Sequence, residues 1–358
     1  MARLTREKQL HKERLLHRLS LFPFYVEEYI EDMLVRNVSP STLLGYSHDF
    51  EQFFNWLLAE GIVQVDNIKG IPLSALEELK LKEVKSFLFY LEHELELQDE
   101  TINRKISALK SLFKFLTERT EDEAGECYFY RNVMSKISMR KNVESLDSRS
   151  VAISSGILHN DKETYEFLDF MQNGYPQLFQ ESGKKLNFYH RDFERDYAMV
   201  ALILASGIRV SELANLQLND ILWNDRTLKI LRKGGKKDAV PFRLFAAEPL
   251  HTYINIRQDR YKVPDDLEYV FVTFYNGKAR AMSVRAIQKA IVKYTEAFML
   301  RMSPHKLRHS FATNYAKTNS LYELMRQLGH TSATTSALYV NASNKDQLRA
   351  INKLDLQK

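Results

Sequence analysis

A single cysteine, Cys127, stands among 358 residues. That excludes an intramolecular disulfide and a cysteine-ligated metal centre. Proline and glycine are scarce, 8 and 12, so Pro- or Gly-rich linkers and low-complexity tracts are missing. No apolar run is long enough to span a bilayer. The longest, "AMVALILASGI" (198–208), falls well short of the roughly 20 residues that a transmembrane helix needs. The opening "MARLTREKQLHKERLLHRL" is basic but has no apolar core, so no secretory signal and a cytoplasmic protein are expected. A G-x-x-x-x-G-K-[ST] phosphate loop is also missing, as is an acidic cluster with metal-ligand spacing.

What remains is a chain that is 44% hydrophobic and 27% charged, the balance of a folded, helix-rich protein. Its net charge is only +5, but the charges are segregated. Acids gather at 92–100 and 118–126, bases at 1–18, 103–114, 229–237 and 278–309. Separated charge of this kind suits one face turned to a polyanion.

The pattern divides the chain into a basic N-terminal segment (1–23), a helical unit (24–120), a polar connector (121–160) and a second domain (161–358). Within the first unit, "SPSTLLGYSHDFEQFFNWLLAEG" opens with Ser39 as N-cap and Pro40 at the first helical position, and Gly61 closes it. In "DETINRKISALKSLFKFLTE" (99–118), Ile102, Ile106, Leu109, Leu112, Phe113 and Leu116 form an apolar stripe. Arg104, Ser107, Ser111 and Lys114 share another face, with Lys110 nearby. Cations mixed with hydroxyls fit a run of phosphates or a solvated face. The second domain alternates helices with strands expected at 226–232, 238–243 and 269–274. The whole reads as mainly α with one small sheet.

Four stretches of the second domain share a chemistry. In "ASGIRVSELANL" (205–216), Gly207 ends one helix, Ser211 is the expected cap of the next, and Arg209 sits at the junction, facing a site or pairing with Glu212. In "TLKILRKGGKKDAVPF" (227–242), two β-prone segments flank Gly234-Gly235, with Lys233 at the tip of a hairpin and Lys236 and Lys237 just beyond. In "SPHKLRHSFATN" (303–314), Ser303 caps a helix that puts His305, Arg308 and His309 on one face. Zinc would suit His305 and His309 poorly, because no third ligand is evident and Lys306 and Arg308 repel a cation. An oxyanion suits them well. In "LMRQLGHTSATTSALYVN" (324–341), Gly329 ends a helix, His330 takes the corner, and Tyr339 lies on the next helix as core residue or nucleophile. Cations, histidines and a tyrosine without a metal ligand set fit phosphoryl transfer, which asks mainly for positioning and charge neutralisation.

In this order, the four stretches resemble the tyrosine recombinase (phage integrase) family, whose pattern is Arg, Lys, His-x-x-Arg, His, Tyr. It falls on Arg209, Lys233, His305 with Arg308, His330 and Tyr339. The resemblance implies a SAM-like core-binding domain at 24–120 and a catalytic domain beyond about 160, closing as a C-shaped clamp on DNA. It implies that Arg209 and Arg308 clamp the scissile phosphate and that His330 adds a third donor. His305 would serve the tyrosine proton as general acid/base. Lys233 would protonate the leaving 5′ hydroxyl, and Tyr339 would form a 3′-phosphotyrosyl link. Neither metal, ATP nor any other cofactor is implied.

Within the family, the extra N-terminal segment and long connector resemble the single-recombinase Xer (XerS) type of streptococci and lactococci. That type implies resolution of chromosome dimers at a terminus site before cell division. The implied partners are double-stranded DNA with a dif-like site, a homodimer on one site, a homotetramer in the synapse, and a septal DNA translocase of the FtsK type; no membrane is implied. Arg285, Gln288 and Lys289, off the apolar face of "MSVRAIQKAIVKYTEAF", suit a major groove or its phosphates. The amphipathic segment 344–354 either packs on its own domain or docks on a neighbouring protomer. The alternatives are an integrase or transposase of a mobile element, a type IB topoisomerase, and a non-catalytic architectural DNA-binding protein.

Overall fold

The computed structural model describes residues 6–140, 146–179, 181–232 and 235–340. Lys233 and the segment 344–354 therefore lie outside the described residues. Two compact units divide the chain, Met1–Val143 and Glu144–Lys358.

The first unit is helical: α1 (Arg6–Leu19), α2 (Phe24–Val35), α3 (Pro40–Ala59), α4 (Leu73–Glu77), α5 (Leu81–Phe89) and α6 (Asp99–Glu118). Its core is aromatic. Tyr25, Tyr29, Phe50, Phe53, Phe54, Phe87 and Phe113 are all fully buried, and Phe53 meets Phe87 edge-on at 5.0 Å. Such pairs add about 0.5–1.5 kcal/mol beyond their buried area. The basic helix α1 lies on α3, with Leu15 and Leu19 buried and Arg18 donating to Glu51 at 2.6 Å and Ser47 at 3.2 Å. Ser39 stands at the N-cap of α3 in an extended backbone without a side-chain capping bond, and Pro40 fills the first turn. The stretch read as a connector contributes to both units. Phe129, Val133, Met134 and Ile137 enter the first core, and α7 (Leu146–Ser154) belongs to the second unit.

The second unit continues with α8 (Asp161–Asp169), α9 (Gly183–Ser206), α10 (Val210–Ala214), α11 (Ala247–Tyr261), α12 (Val284–Ala297), α13 (Pro304–Ala316), α14 (Leu321–Leu328) and α15 (Ala333–Val340). The apolar run 198–206 makes the C-terminal half of α9 entirely buried, and α11 and α13 pack along it. Strands β1 (Ile221–Leu222), β2 (Thr227–Leu231) and β3 (Lys237–Pro241) form an antiparallel sheet in that order, with Leu228 opposite Val240. A second sheet, not expected from the sequence, pairs β4 (Val272–Tyr275) with β5 (Lys278–Ala281). Its turn is Asn276-Gly277, both at positive φ (48° and 75°), the backbone of a type I′ hairpin. Among the described residues, no helix is long and apolar enough to cross a membrane.

Candidate active site

Helix α9 ends at Gly207, whose φ is +68°. A Cβ there would come within 2.3 Å of the Phe311 ring, so glycine both turns the chain and lets α13 close on α9. Arg209 follows the turn. The expected cap, Ser211, does not cap: α10 begins at Val210, and Glu212 takes the role. Its carboxylate accepts the Arg209 N–H at 2.7 Å and the Arg209 Nη1 at 2.9 Å. A carboxylate one turn into a helix reaches back to the free N–H groups more readily than a serine inside the turn.

Helix α13 starts as its sequence demands, with Ser303 Oγ accepting the Lys306 N–H and Pro304 in the first turn. His305 lies at the surface, and Arg308 is only 2% exposed. Arg308 donates to the carbonyls of Gly207 and, at 2.8 Å, of Leu328. These carbonyls close α9 and α14. A helix C-terminus carries negative partial charge, which offsets part of the cost of a buried guanidinium. Burial, with Arg209 nearby, still pulls the Arg308 pKa down to about 10.

Gly329 ends α14 at φ +64° and turns the chain into His330. Arg308 Nη2 lies 3.3 Å from His330 Nε2, and Ser336 Oγ lies 2.8 Å from Nδ1. Because a guanidinium only donates, Nε2 accepts and the ring proton sits on Nδ1, donated to Ser336. Burial first, then Arg308 and Arg209, lower the His330 pKa to about 4.

Tyr339 is 5% exposed on α15. Its hydroxyl is 2.7 Å from His309 Nδ1, and His305 meets His309 edge-on at 4.2 Å between ring centres. Burial raises the Tyr339 pKa above its ordinary value, while Arg308 and Arg209 pull the other way. Burial and the cations around it press His309 down to about 3. The phenol therefore donates and the neutral imidazole accepts. His305 is lowered as well, by desolvation, Arg308 and Arg209.

The structure thus brings Arg209, His305, Arg308, His330 and Tyr339 into one cluster. It adds His309, which the sequence placed on the right face without assigning it the hydroxyl. It also adds Arg232, just past the end of β2, where continuing the period-2 alternation of Leu228 and Ile230 turns its side chain inward. Among the described residues, no three His, Cys, Asp or Glu side chains are grouped to hold a metal.

The expected DNA-contact residues divide. Arg285, Gln288 and Lys289 are exposed on α12, opposite buried Ile287, Ile291 and Tyr294. Lys236 is exposed beside the hairpin turn. In the first unit, Arg104 is tied to the buried carboxylate of Asp49, which Lys105 also holds at 2.9 Å. Ser111 accepts from the Tyr29 hydroxyl at 2.8 Å, and Ser107 donates to the Asn103 carbonyl at 2.8 Å. Both hydroxyls of the stripe thus have internal partners. Lys110 is half-buried, and Lys114 is exposed, 3.7 Å from Glu118.

Comparison with known proteins shows which family the chain resembles. The Phage integrase family matches residues 170–346, and the Phage integrase N-terminal SAM-like domain matches 26–120. The tyrosine recombinase XerS of Lactococcus lactis subsp. cremoris (strain MG1363) is 40% identical over 352 residues, covering 96% of this chain and 97% of its own length. The XerS of Streptococcus gordonii (strain Challis) is 39% identical over 359 residues, 96% of this chain and 100% of its own. In fold, the chain resembles the XerH site-specific recombinase bound to palindromic difH substrate in a post-cleavage complex. The TM-score is 0.61 at 20% identity, over 89% of this chain and 82% of that one.

Proposed function

The chain belongs to the phage integrase family, and on that premise we propose that it is a site-specific tyrosine recombinase that cuts and rejoins double-stranded DNA through a 3′-phosphotyrosyl intermediate. The observation that carries the reading is the Tyr339 hydroxyl, held at 2.7 Å by His309 among Arg308, Arg209 and His330. A phenol set against a neutral imidazole and beside two guanidiniums suits attack on a phosphodiester.

Arg209 and Arg308 clamp the non-bridging oxygens of the scissile phosphate. Each has spent only some of its five N–H donors on protein acceptors. The phosphate charge raises the pKa of His330; protonation on Nε2 gives up the bond from Arg308 and makes that nitrogen a third donor. The phenol proton passes to the His309–His305 pair, with His305 as the exposed general acid/base. The Tyr339 oxygen attacks phosphorus, and the bond to the 5′ oxygen breaks. Lys233 protonates that oxygen as it leaves. Attack by the freed 5′ hydroxyl of a partner strand reverses each step and reseals the DNA. The phosphotyrosine conserves the bond energy, so the reaction needs neither metal nor ATP.

Full-length identity to two XerS proteins supports the finer reading: resolution of chromosome dimers at a dif-like terminus site, in the cytoplasm. The recombinase would act as a homodimer on each site and a homotetramer in the synapse, with a septal translocase of the FtsK type. Arg285, Gln288, Lys289, Lys236, Lys110, Lys114 and Arg104 are the proposed DNA contacts.

The test is a nicked duplex carrying a terminus site, incubated in EDTA with wild type and with Tyr339→Phe. Wild type is expected to form a denaturation-resistant adduct and the variant none. Tight binding without an adduct from wild type would turn the reading to an architectural DNA-binding protein.

A further inference from the structure

We propose that Arg232 is a positioning residue that fixes Arg209, His330 and the stem of the β2–β3 hairpin relative to one another; the inference rests on the recombinase reading above.

Arg232 is 6% exposed, although it opens the run "RKGGKK". Its guanidinium joins three of the site's four stretches. Nη1 is 3.3 Å from both oxygens of Glu212, the carboxylate that also holds the Arg209 main chain and side chain. Nη2 donates at 2.8 Å to the carbonyl of Gln327, three residues before His330. Nε donates at 3.0 Å to Asp238 on β3, and the main-chain N–H donates at 2.8 Å to the Lys236 carbonyl, closing the hairpin stem.

Gly329 makes room for this arrangement. A Cβ there would stand 2.6 Å from Arg232 Nε and 2.8 Å from Cζ. The guanidinium therefore packs directly against the residue that turns the chain into His330. Side-chain contacts along the hairpin alone would leave the strand free to rock on its turn. A buried, multiply bonded guanidinium does not, because each lost bond leaves a desolvated partner.

Charge gives the second half of the argument. Glu212 is 5% exposed and faces two arginines. With Arg232 present, its charge is shared. Without Arg232, Arg209 becomes its single cationic partner among these and is held harder. Arg209 is then less free to turn toward a phosphate. Displacement of a clamping group by about 1 Å costs on the order of 100-fold in rate.

Arg232→Met and Arg232→Lys, measured on the nicked duplex beside wild type and Tyr339→Phe, test the idea. Single-turnover adduct formation at saturating duplex is compared with duplex affinity, well below each variant's melting temperature. Arg232→Met is expected to lose roughly 10- to 100-fold in rate with affinity within about twofold, and Arg232→Lys to fall between it and wild type. The double variant Glu212→Gln/Arg232→Met should lose less than the two single losses combined, because Arg209 is then no longer over-held. Full-rate cleavage by Arg232→Met overturns the proposal, as does a loss of affinity in step with rate. If Arg232→Met does not fold, Arg232→Lys alone decides, by whether its rate drops at unchanged affinity. Failure of wild type to form any adduct strikes the recombinase reading instead.

Discussion

Arg209 and Arg308 are assigned the same task toward a phosphate, yet the protein embeds them differently, and Arg→Lys separates the two roles. Arg308 is 2% exposed and donates to two helix-ending carbonyls. Hydrogen bonds from a charged donor contribute about 1.5–3 kcal/mol each, and a buried carbonyl left unpaired costs about 1–3 kcal/mol. A lysine carries its donors on a single nitrogen and lacks the fork that reaches the two carbonyls from separate nitrogens. Arg308→Lys should therefore destabilise the DNA-free protein by about 2–4 kcal/mol. For a unit of this size that is a drop of roughly 5–15 °C in melting temperature. Arg209 has a side chain one-third exposed and is paired with Glu212, which keeps Arg232. Glu212 is buried but keeps Arg232, and a lysine keeps the charge at position 209, so Arg209→Lys should melt within about 3 °C of wild type. Both variants should lose adduct formation. Calorimetry of the two proteins without DNA is the assay. Equal melting of Arg308→Lys and wild type, or an equal fall in both variants, would refute the argument that α9 and α14 are joined through Arg308.

Two further outcomes follow from the site and the surface. His309 and His330 have folded pKa values of about 3 and about 4, below the ordinary value near 6.5. The unfolded chain then takes up protons between pH 6.5 and 4 while the folded one does not, so stability is full above about pH 6.5 and falls with acidification. Melting temperature should drop between pH 7 and pH 5, and less so in His309→Asn; a pH-independent melting temperature would contradict the assignment. On α12, the triple variant Arg285→Ala/Gln288→Ala/Lys289→Ala should keep its stability within about 0.5 kcal/mol, because all three side chains are exposed. If they face phosphates, the slope of log affinity against log salt should shrink by about 2; an unchanged slope would remove α12 from the interface.

What the sequence displayed and what it hid follow from the range of the interactions involved. Gly207, Ser303-Pro304 and Gly329 act within a turn of themselves, and α9, α13 and α14 begin or end at them as the sequence implies. The strand β5, "KARA", has little apolar alternation and reads as a basic loop; only Asn276-Gly277 marked the hairpin. Arg232 was lost in a run of like residues, because sequence does not distinguish a cation facing water from one facing a carboxylate 20 positions earlier and a carbonyl 95 positions later. His309 lies four residues from His305, but which ring receives the Tyr339 hydroxyl depends on how α15 returns 30 residues later. The cations that a phosphate could engage are set by the same long-range pairings. Arg232 commits all three of its nitrogens to Glu212, Asp238 and Gln327, while Arg209 and Arg308 retain more donors. A list of basic residues therefore overstates the clamp: Arg209 and Arg308 also have internal partners, but each keeps N–H donors for a phosphate.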